Sequence, residues 1–182
     1  MCGINGFIVR KDSIDLKKRI GEMNSVLSHR GPDDTGDEVL DFSENFAVAF
    51  GQARLSIIDL SIRGHQPMFY THGFGASNHR FEMQNEWEYS IVFNGEIYNY
   101  QDVRDELEAL GYTFSTKSDT EIILASYHAW GSEAVHKWNG MWSICLYDKK
   151  KDEFFCSRDR FGKKPFYYFL DGDRFIFSSE IK

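Results

Sequence analysis

Met1-Cys2-Gly3-Ile4-Asn5-Gly6-Phe7-Ile8-Val9 opens the chain. Gly6 to Val9 read as a first, buried strand, and the residue in front of it decides what kind of fold the strand belongs to. Removal of Met1 would make Cys2 the first residue. An amino-terminal cysteine carries a thiol nucleophile and a free α-amine together, and an amine with an unperturbed pKa of about 7.7 to 8.0 can act as general base near neutral pH. On position alone, Cys2 is a small residue opening a strand. The motifs downstream reverse that reading.

Working outward, Leu16, Ile20, Met23 and Leu27 repeat at helical spacing, and the helix ends before Gly31-Pro32. Phe46 to Phe50 and Tyr89 to Phe93 are β-branched and aromatic runs that predict strands. Val103, Leu107 and Leu110 mark a second helix closed by Gly111. Ser118 and Glu121 read as a capping box opening a third, which carries Ile122, Ile123 and Tyr127. Trp142 to Asp148, Glu153 to Arg158, Phe166 to Leu170 and Arg174 to Ser178 predict four more strands, with Lys150-Lys151-Asp152 and Asp171-Gly172-Asp173 as turns. Strands at both ends with helices between do not alternate as in a doubly wound fold. They predict an α+β protein of two mainly antiparallel sheets with helices packed outside. Phe69 to Glu88 is polar and aperiodic, and reads as a long loop, either a lid or a partner-facing segment.

A length of 182 residues suits one domain with a substantial core, and 42% hydrophobic residues with 16 phenylalanines make it globular. The net charge of -7, without a long basic stretch, disfavours nucleic-acid binding. Three cysteines without Cys-x-x-Cys spacing argue against a disulfide framework. Cys145 and Cys156 read as core packing, and the six histidines, in pairs such as His72 with His79, lack metal-site spacing, so no metal is expected. Without a leader pattern or an apolar run of membrane-spanning length, a cytoplasmic protein with no membrane association is expected.

Four further motifs need a common explanation: His29-Arg30-Gly31-Pro32-Asp33-Asp34 at a helix end, Gly51-Gln52-Ala53-Arg54-Leu55-Ser56-Ile57-Ile58-Asp59 after a strand, Asn94-Gly95-Glu96 at an expected turn between strands, and Ser118-Asp119-Thr120-Glu121 at a helix start. With Cys2, in this order, they resemble the glutaminase domain of class II glutamine amidotransferases. These are amino-terminal-nucleophile hydrolases, and the amino-terminal half of glutamine-hydrolysing asparagine synthetases is the most similar. The resemblance covers residues 1–182, to the closing Phe177-Ser178-Ser179-Glu180-Ile181-Lys182. It implies a four-layer αββα sandwich and hydrolysis of the side-chain amide of L-glutamine to glutamate and ammonia through a Cys2 thioester.

The chemistry of the residues agrees with that implication. A tetrahedral oxyanion needs donors already in place, and Asn94 offers a side-chain amide while Gly95 offers a backbone N–H. Taken alone, Asn94-Gly95 is a common hairpin turn. Free glutamine carries a carboxylate and an ammonium, so Arg54 as a planar fork and Asp119 as a counter-charge suit its two ends. Leu55, Ile57 and Glu96 match the family's remaining substrate-binding positions. Arg30 either helps to order the surroundings of the nucleophile or simply ends the helix with Gly31 and Pro32. Arg158 to Tyr168, which mixes cations and aromatics, reads as a link between sheet strands rather than a phosphate patch.

In asparagine synthetases such a domain passes ammonia to a second domain that activates aspartate with ATP. No glycine- and serine-rich pyrophosphatase loop occurs here, so no cofactor is expected in this domain, and ATP and magnesium belong to an absent synthetase domain. The chain reads as a piece of a longer synthetase, in preference to a stand-alone subunit docked on a partner. The ammonia acceptor is aspartate or a related carboxylate. A homodimer is compatible with the sequence. The competing reading is a catalytically silent glutamine-binding or docking module with Met1 retained, since Met1 would acylate the amine of Cys2.

Overall fold

In a computed structural model that describes residues 1–11, 15–41, 45–78, 83 and 86–181, the chain forms ten strands and three α-helices. β1 (Gly3–Arg10) leads to α1 (Leu16–Leu27), then β2 (Asp34–Asp41), β3 (Phe46–Arg54), β4 (Met68–Thr71), β5 (Gly75–Ser77) and β6 (Tyr89–Ile97). α2 (Tyr100–Ala109) and α3 (Asp119–Trp130) follow, and β7 (Gly140–Asp148), β8 (Glu153–Arg158), β9 (Tyr167–Asp171) and β10 (Arg174–Ser178) close the fold. One sheet has the order β2-β3-β1-β10-β9 and the other β5-β4-β6-β7-β8, with every pairing antiparallel.

The two-residue period of the strands sorts their side chains into layers. On the first sheet, Ile4, Val48, Phe50 and Phe177 turn inward to meet Phe69, Val92, Cys145 and Tyr147 of the second. Phe7 and Ala49 turn outward beneath Ile20 of α1. On the second sheet, Ile91, Phe93, Ile144 and Leu146 pack against Val103 and Leu107 of α2 and Ile122 and Ile123 of α3. Each fully buried aromatic or branched aliphatic side chain contributes about 1.5 to 3 kcal/mol. The layers run helix, sheet, sheet, helix, which is the expected αββα sandwich.

Helix boundaries follow local chemistry. The Asp15 carboxylate caps α1 by accepting the Lys18 N–H at 3.0 Å, and a 3-10 turn over Ser28–Arg30 closes it before Gly31. Ser118 caps α3 by accepting the Thr120 N–H. The expected reciprocal arm of a capping box is not made. Glu121 instead accepts the N–H groups of Ser115, Thr116 and Ala76, spending its charge on the approach to the helix and on β5.

Other expectations are corrected. Asn94-Gly95 is no turn but the middle of β6, paired with Ser143 and Trp142 of β7. Phe69 to Glu88 is not a mere loop: Phe69 and Tyr70 lie in β4, Ala76 in β5, and Met83 and Trp87 are buried between the sheets. Only Phe74 of its phenylalanines is exposed among the described residues, while Phe81, like His79 and Lys182, lies outside them. β2 has no apolar run to announce it, because it is an edge strand and tolerates Asp34, Asp37 and Glu38. Cys145 is buried, but Cys156, across from it on β8, is exposed and not core. Among the described residues no helix is long and apolar enough to cross a membrane.

Candidate active site

At one end of the sandwich the layer between the sheets changes from apolar to polar. Cys2 continues the inward face of Ile4, Gln52 that of Phe50, and Asn94 that of Val92, each two residues on. A cavity opens there. Its wall includes Cys2, Arg54, Leu55, Ile57, Asn94, Gly95, Glu96 and Asp119, so eight residues singled out from sequence meet at one place. Arg30 stands behind the wall. Its Nε donates to the Cys2 carbonyl at 3.0 Å and its Nη1 to Glu180 at 2.8 Å, tying the residue before β1 to the segment just after β10. A wider apolar groove between α1 and β9–β10 contains none of these residues.

The Cys2 thiol rests against the Leu55 peptide, accepting its N–H at 3.3 Å and lying 3.4 Å from its carbonyl. Leu55 is placed by Arg54 at the end of β3. The Arg54 guanidinium donates to the carbonyls of Ser61 (2.9 Å) and Asp59, and its Nη1 lies 4.0 Å from Asp34. Gly64 packs so closely on that guanidinium that a Cβ there would lie 2.1 Å from Nη2. The fork therefore holds the loop from Leu55 to Gly64 in shape.

The short length of β4 accounts for most of the remaining geometry. β4 pairs with only Tyr89 to Ile91, so the edge of β6 beyond is left without a partner strand. Side chains satisfy it instead, as buried backbone groups require. Gln66 Oε1 accepts the Phe93 N–H at 2.6 Å, Gln52 Nε2 donates to the Phe93 carbonyl at 2.8 Å, and Asp119 Oδ2 accepts the Ile97 N–H at 3.1 Å. Gly95 lies midway between Phe93 and Ile97, and by the period of the strand its N–H points to the same edge. A Cβ on Gly95 would come within 2.2 Å of the Met141 carbonyl, so no side chain fits there. Asn94 is 1% exposed, and among the described residues its amide Nδ2 has no hydrogen-bond partner. A buried donor left unpaired costs about 1 to 3 kcal/mol.

Asp119 is the first residue of α3, buried, and walled off from solvent. Burial pushes its pKa up to about 6, and the charge of Glu96 adds to the rise against the N–H groups of Ile97 and Thr120. Sequence reading missed Gln52 and Gln66 as braces of β6, and it missed Lys164, which lines the same cavity.

A family model described as a glutamine amidotransferase domain matches residues 1–182. The putative glutamine-hydrolysing asparagine synthetase 2 of Methanocaldococcus jannaschii is 46% identical over all of this chain and 34% of its own length. Asparagine synthetase 1 of Bacillus subtilis is 40% identical over all of this chain and 26% of its own length, and asparagine synthetase B of Escherichia coli is 35% identical over all of this chain and 29% of its own. The chain thus spans roughly a quarter to a third of the length of these relatives. Among solved structures, the glutamine phosphoribosylpyrophosphate amidotransferase of B. subtilis superposes with a TM-score of 0.72 at 19% identity, over 98% of this chain and 42% of that one, a likeness of fold. By its sequence from end to end, the chain belongs to the glutamine amidotransferase domain family.

Proposed function

We propose that this domain hydrolyses the side-chain amide of L-glutamine with Cys2 as nucleophile, once Met1 has been removed. The observation that carries the reading is the unpaired, buried Nδ2 of Asn94 in the cavity that holds the Cys2 thiol. A buried donor without a protein partner among the described residues is free to stabilise an oxyanion that appears only during reaction. The thiol proton passes to the α-amine of Cys2, the thiolate adds to the amide carbon, and the oxyanion takes the donors of Asn94 and Gly95. The C–N bond then breaks and ammonia leaves with that proton. Water adds to the thioester, glutamate departs, and the thiol is restored.

Asp119, beside which no cation lies among the described residues, supplies the counter-charge for the substrate ammonium, and Arg54, with the backbone of Leu55 and Ile57, receives the carboxylate end. Glu96 borders the same pocket. The ammonia passes to a synthetase region of a longer chain, or a partner subunit, that amidates aspartate or a related carboxylate. The partial coverage of the asparagine synthetase relatives supports this.

The test is intact mass followed by glutamine hydrolysis. Protein lacking Met1 should release ammonia from glutamine, and Cys2→Ala should abolish release while keeping the fold. Equal ammonia release by Cys2→Ala would refute the nucleophile, and a processed protein that binds glutamine without hydrolysing it would favour a silent binding module.

A further inference from the structure

The segment Arg158-Asp159-Arg160-Phe161-Gly162-Lys163-Lys164 carries the chain from β8 in one sheet to β9 in the other, and it is braced far more than a connector requires. The buried Asp159 carboxylate accepts four backbone N–H groups: Phe161 (3.1 Å) and Lys163 (2.9 Å) on Oδ1, Lys164 (2.9 Å) and Trp142 (3.3 Å) on Oδ2. From the other side Arg158 donates to the carbonyls of Lys164 and Gly162, both at 2.6 Å. Gly162 adopts a φ of +61°, and a Cβ there would lie 3.2 Å from the Arg158 guanidinium. Lys164 is thus clamped at both its N–H and its carbonyl.

The side chain so presented is only 5% exposed and lines the cavity of Cys2. Among the described residues its ammonium has no hydrogen-bond or ion-pair partner. The charges it feels are those of Cys2, Arg30, Glu96 and Asp159; burial pushes its pKa down and Arg30 acts with burial, while Cys2, Glu96 and Asp159 oppose it. Of the neighbouring cations, Arg30 is held behind the cavity wall by the Cys2 carbonyl and Glu180, and Arg54 already donates to the carbonyls of Asp59 and Ser61. Among the described residues that line the cavity, Lys164 is the cation whose charged group makes no hydrogen bond or ion pair. A buried, unpaired cation aimed into a cavity is unfavourable in itself, and an anion forming in that cavity relieves it.

We propose that Lys164 is the electrostatic partner of the nucleophile: its ammonium holds a positive potential at the Cys2 sulfur and so favours the thiolate, with the Arg158–Asp159–Gly162 turn as the brace that positions it. This rests on the reading of Cys2 as nucleophile. Lys164 keeps its proton throughout; the thiol proton goes to the α-amine of Cys2 as before.

The test reads the potential directly and needs no glutamine turnover. Protein free of Met1 is alkylated with iodoacetate, an anion, and with iodoacetamide, its neutral analogue, and the rate at each cysteine is followed by peptide mass spectrometry. The ratio of iodoacetate to iodoacetamide rates at Cys2 should exceed that at the exposed Cys156. It should fall about three- to tenfold in Lys164→Met, the range for losing one nearby unit charge in a partly screened site, and in Lys164→Gln. Lys164→Arg should keep it within about twofold. A ratio at Cys2 no higher than at Cys156 overturns the proposal without any variant. So does an unchanged ratio in a folded Lys164→Met or Lys164→Gln protein. A protein with the expected ratios that releases no ammonia from glutamine would instead sink the glutaminase reading and leave the potential standing.

Discussion

Asp119 Oδ2 accepts the Ile97 N–H at 3.1 Å, so the first residue of α3 closes the edge of β6 that the short β4 leaves open. A carboxylate does this at a cost. Burial raises its pKa from 3.8 to about 6, and the folded protein therefore binds the Asp119 proton more tightly than the unfolded chain does. Stability from this group is full below about pH 4 and is lost as pH rises through about 6, roughly 3 kcal/mol in all. Asp119→Asn keeps an acceptor for Ile97 without the charge. Urea denaturation at pH 7 should find it more stable than the parent by about 1 to 3 kcal/mol, with the difference shrinking toward pH 4; a less stable variant at pH 7 would contradict the assignment.

The same substitution should impair binding. With the substrate ammonium unpartnered, KM for glutamine should rise about 10- to 150-fold, the equivalent of a charge-assisted hydrogen bond of roughly 1.5 to 3 kcal/mol. An analogue lacking the α-amine should lose much less. In the parent protein, KM should climb as pH falls through about 6, as Asp119 takes up its proton. A KM independent of pH between about 5 and 7 would detach Asp119 from the substrate.

Asn94→Ala should separate chemistry from stability. Since Nδ2 has no partner among the described residues, its removal breaks no hydrogen bond among them, and the denaturation free energy should change by less than about 1 kcal/mol. Turnover should drop on the order of 100- to 1000-fold. A raised KM with turnover intact would move Asn94 to the ground-state pocket. Gly95→Ala should fail more broadly, because its Cβ would stand 2.2 Å from the Met141 carbonyl and must push β6 from β7.

Trp87 meets Phe69 edge to face at 5.3 Å and Tyr147 at 5.8 Å, and Lys149 lies over its ring at 4.6 Å. Trp87→Ala should therefore cost about 3 to 5 kcal/mol, as for a core aromatic. Phe74→Ser, at an exposed position of the same segment, should change stability by less than about 0.5 kcal/mol. Equal, small effects at both would restore this segment to the status of a loop.

Features that depend on near neighbours along the chain are legible in the residues alone. The two-residue alternation in β1, β3, β6 and β7 and the helical spacing in α1 name a face for each element, and faces that must be buried imply two sheets between helices. Residues singled out for their functional groups and for the order of their motifs, Cys2, Arg54, Asn94, Gly95 and Asp119, meet in the wall of one cavity. How backbone groups are satisfied across long separations emerges only once the sheets and helices have packed. Asn94-Gly95 has the composition of a turn, yet it runs straight because β7 pairs with one side of it while Gln66, Gln52 and Asp119 serve the other. Glu121 has the spacing of a capping box, yet three N–H groups from Ala76, Ser115 and Thr116 claim it. The aromatics of Phe69 to Glu88 lack a period because they fill a gap between sheets, where shape and not alternation selects them. Lys164 lies 162 residues from Cys2 in sequence, and no local pattern could report that a clamped turn between the sheets returns its ammonium to the first residue of the fold.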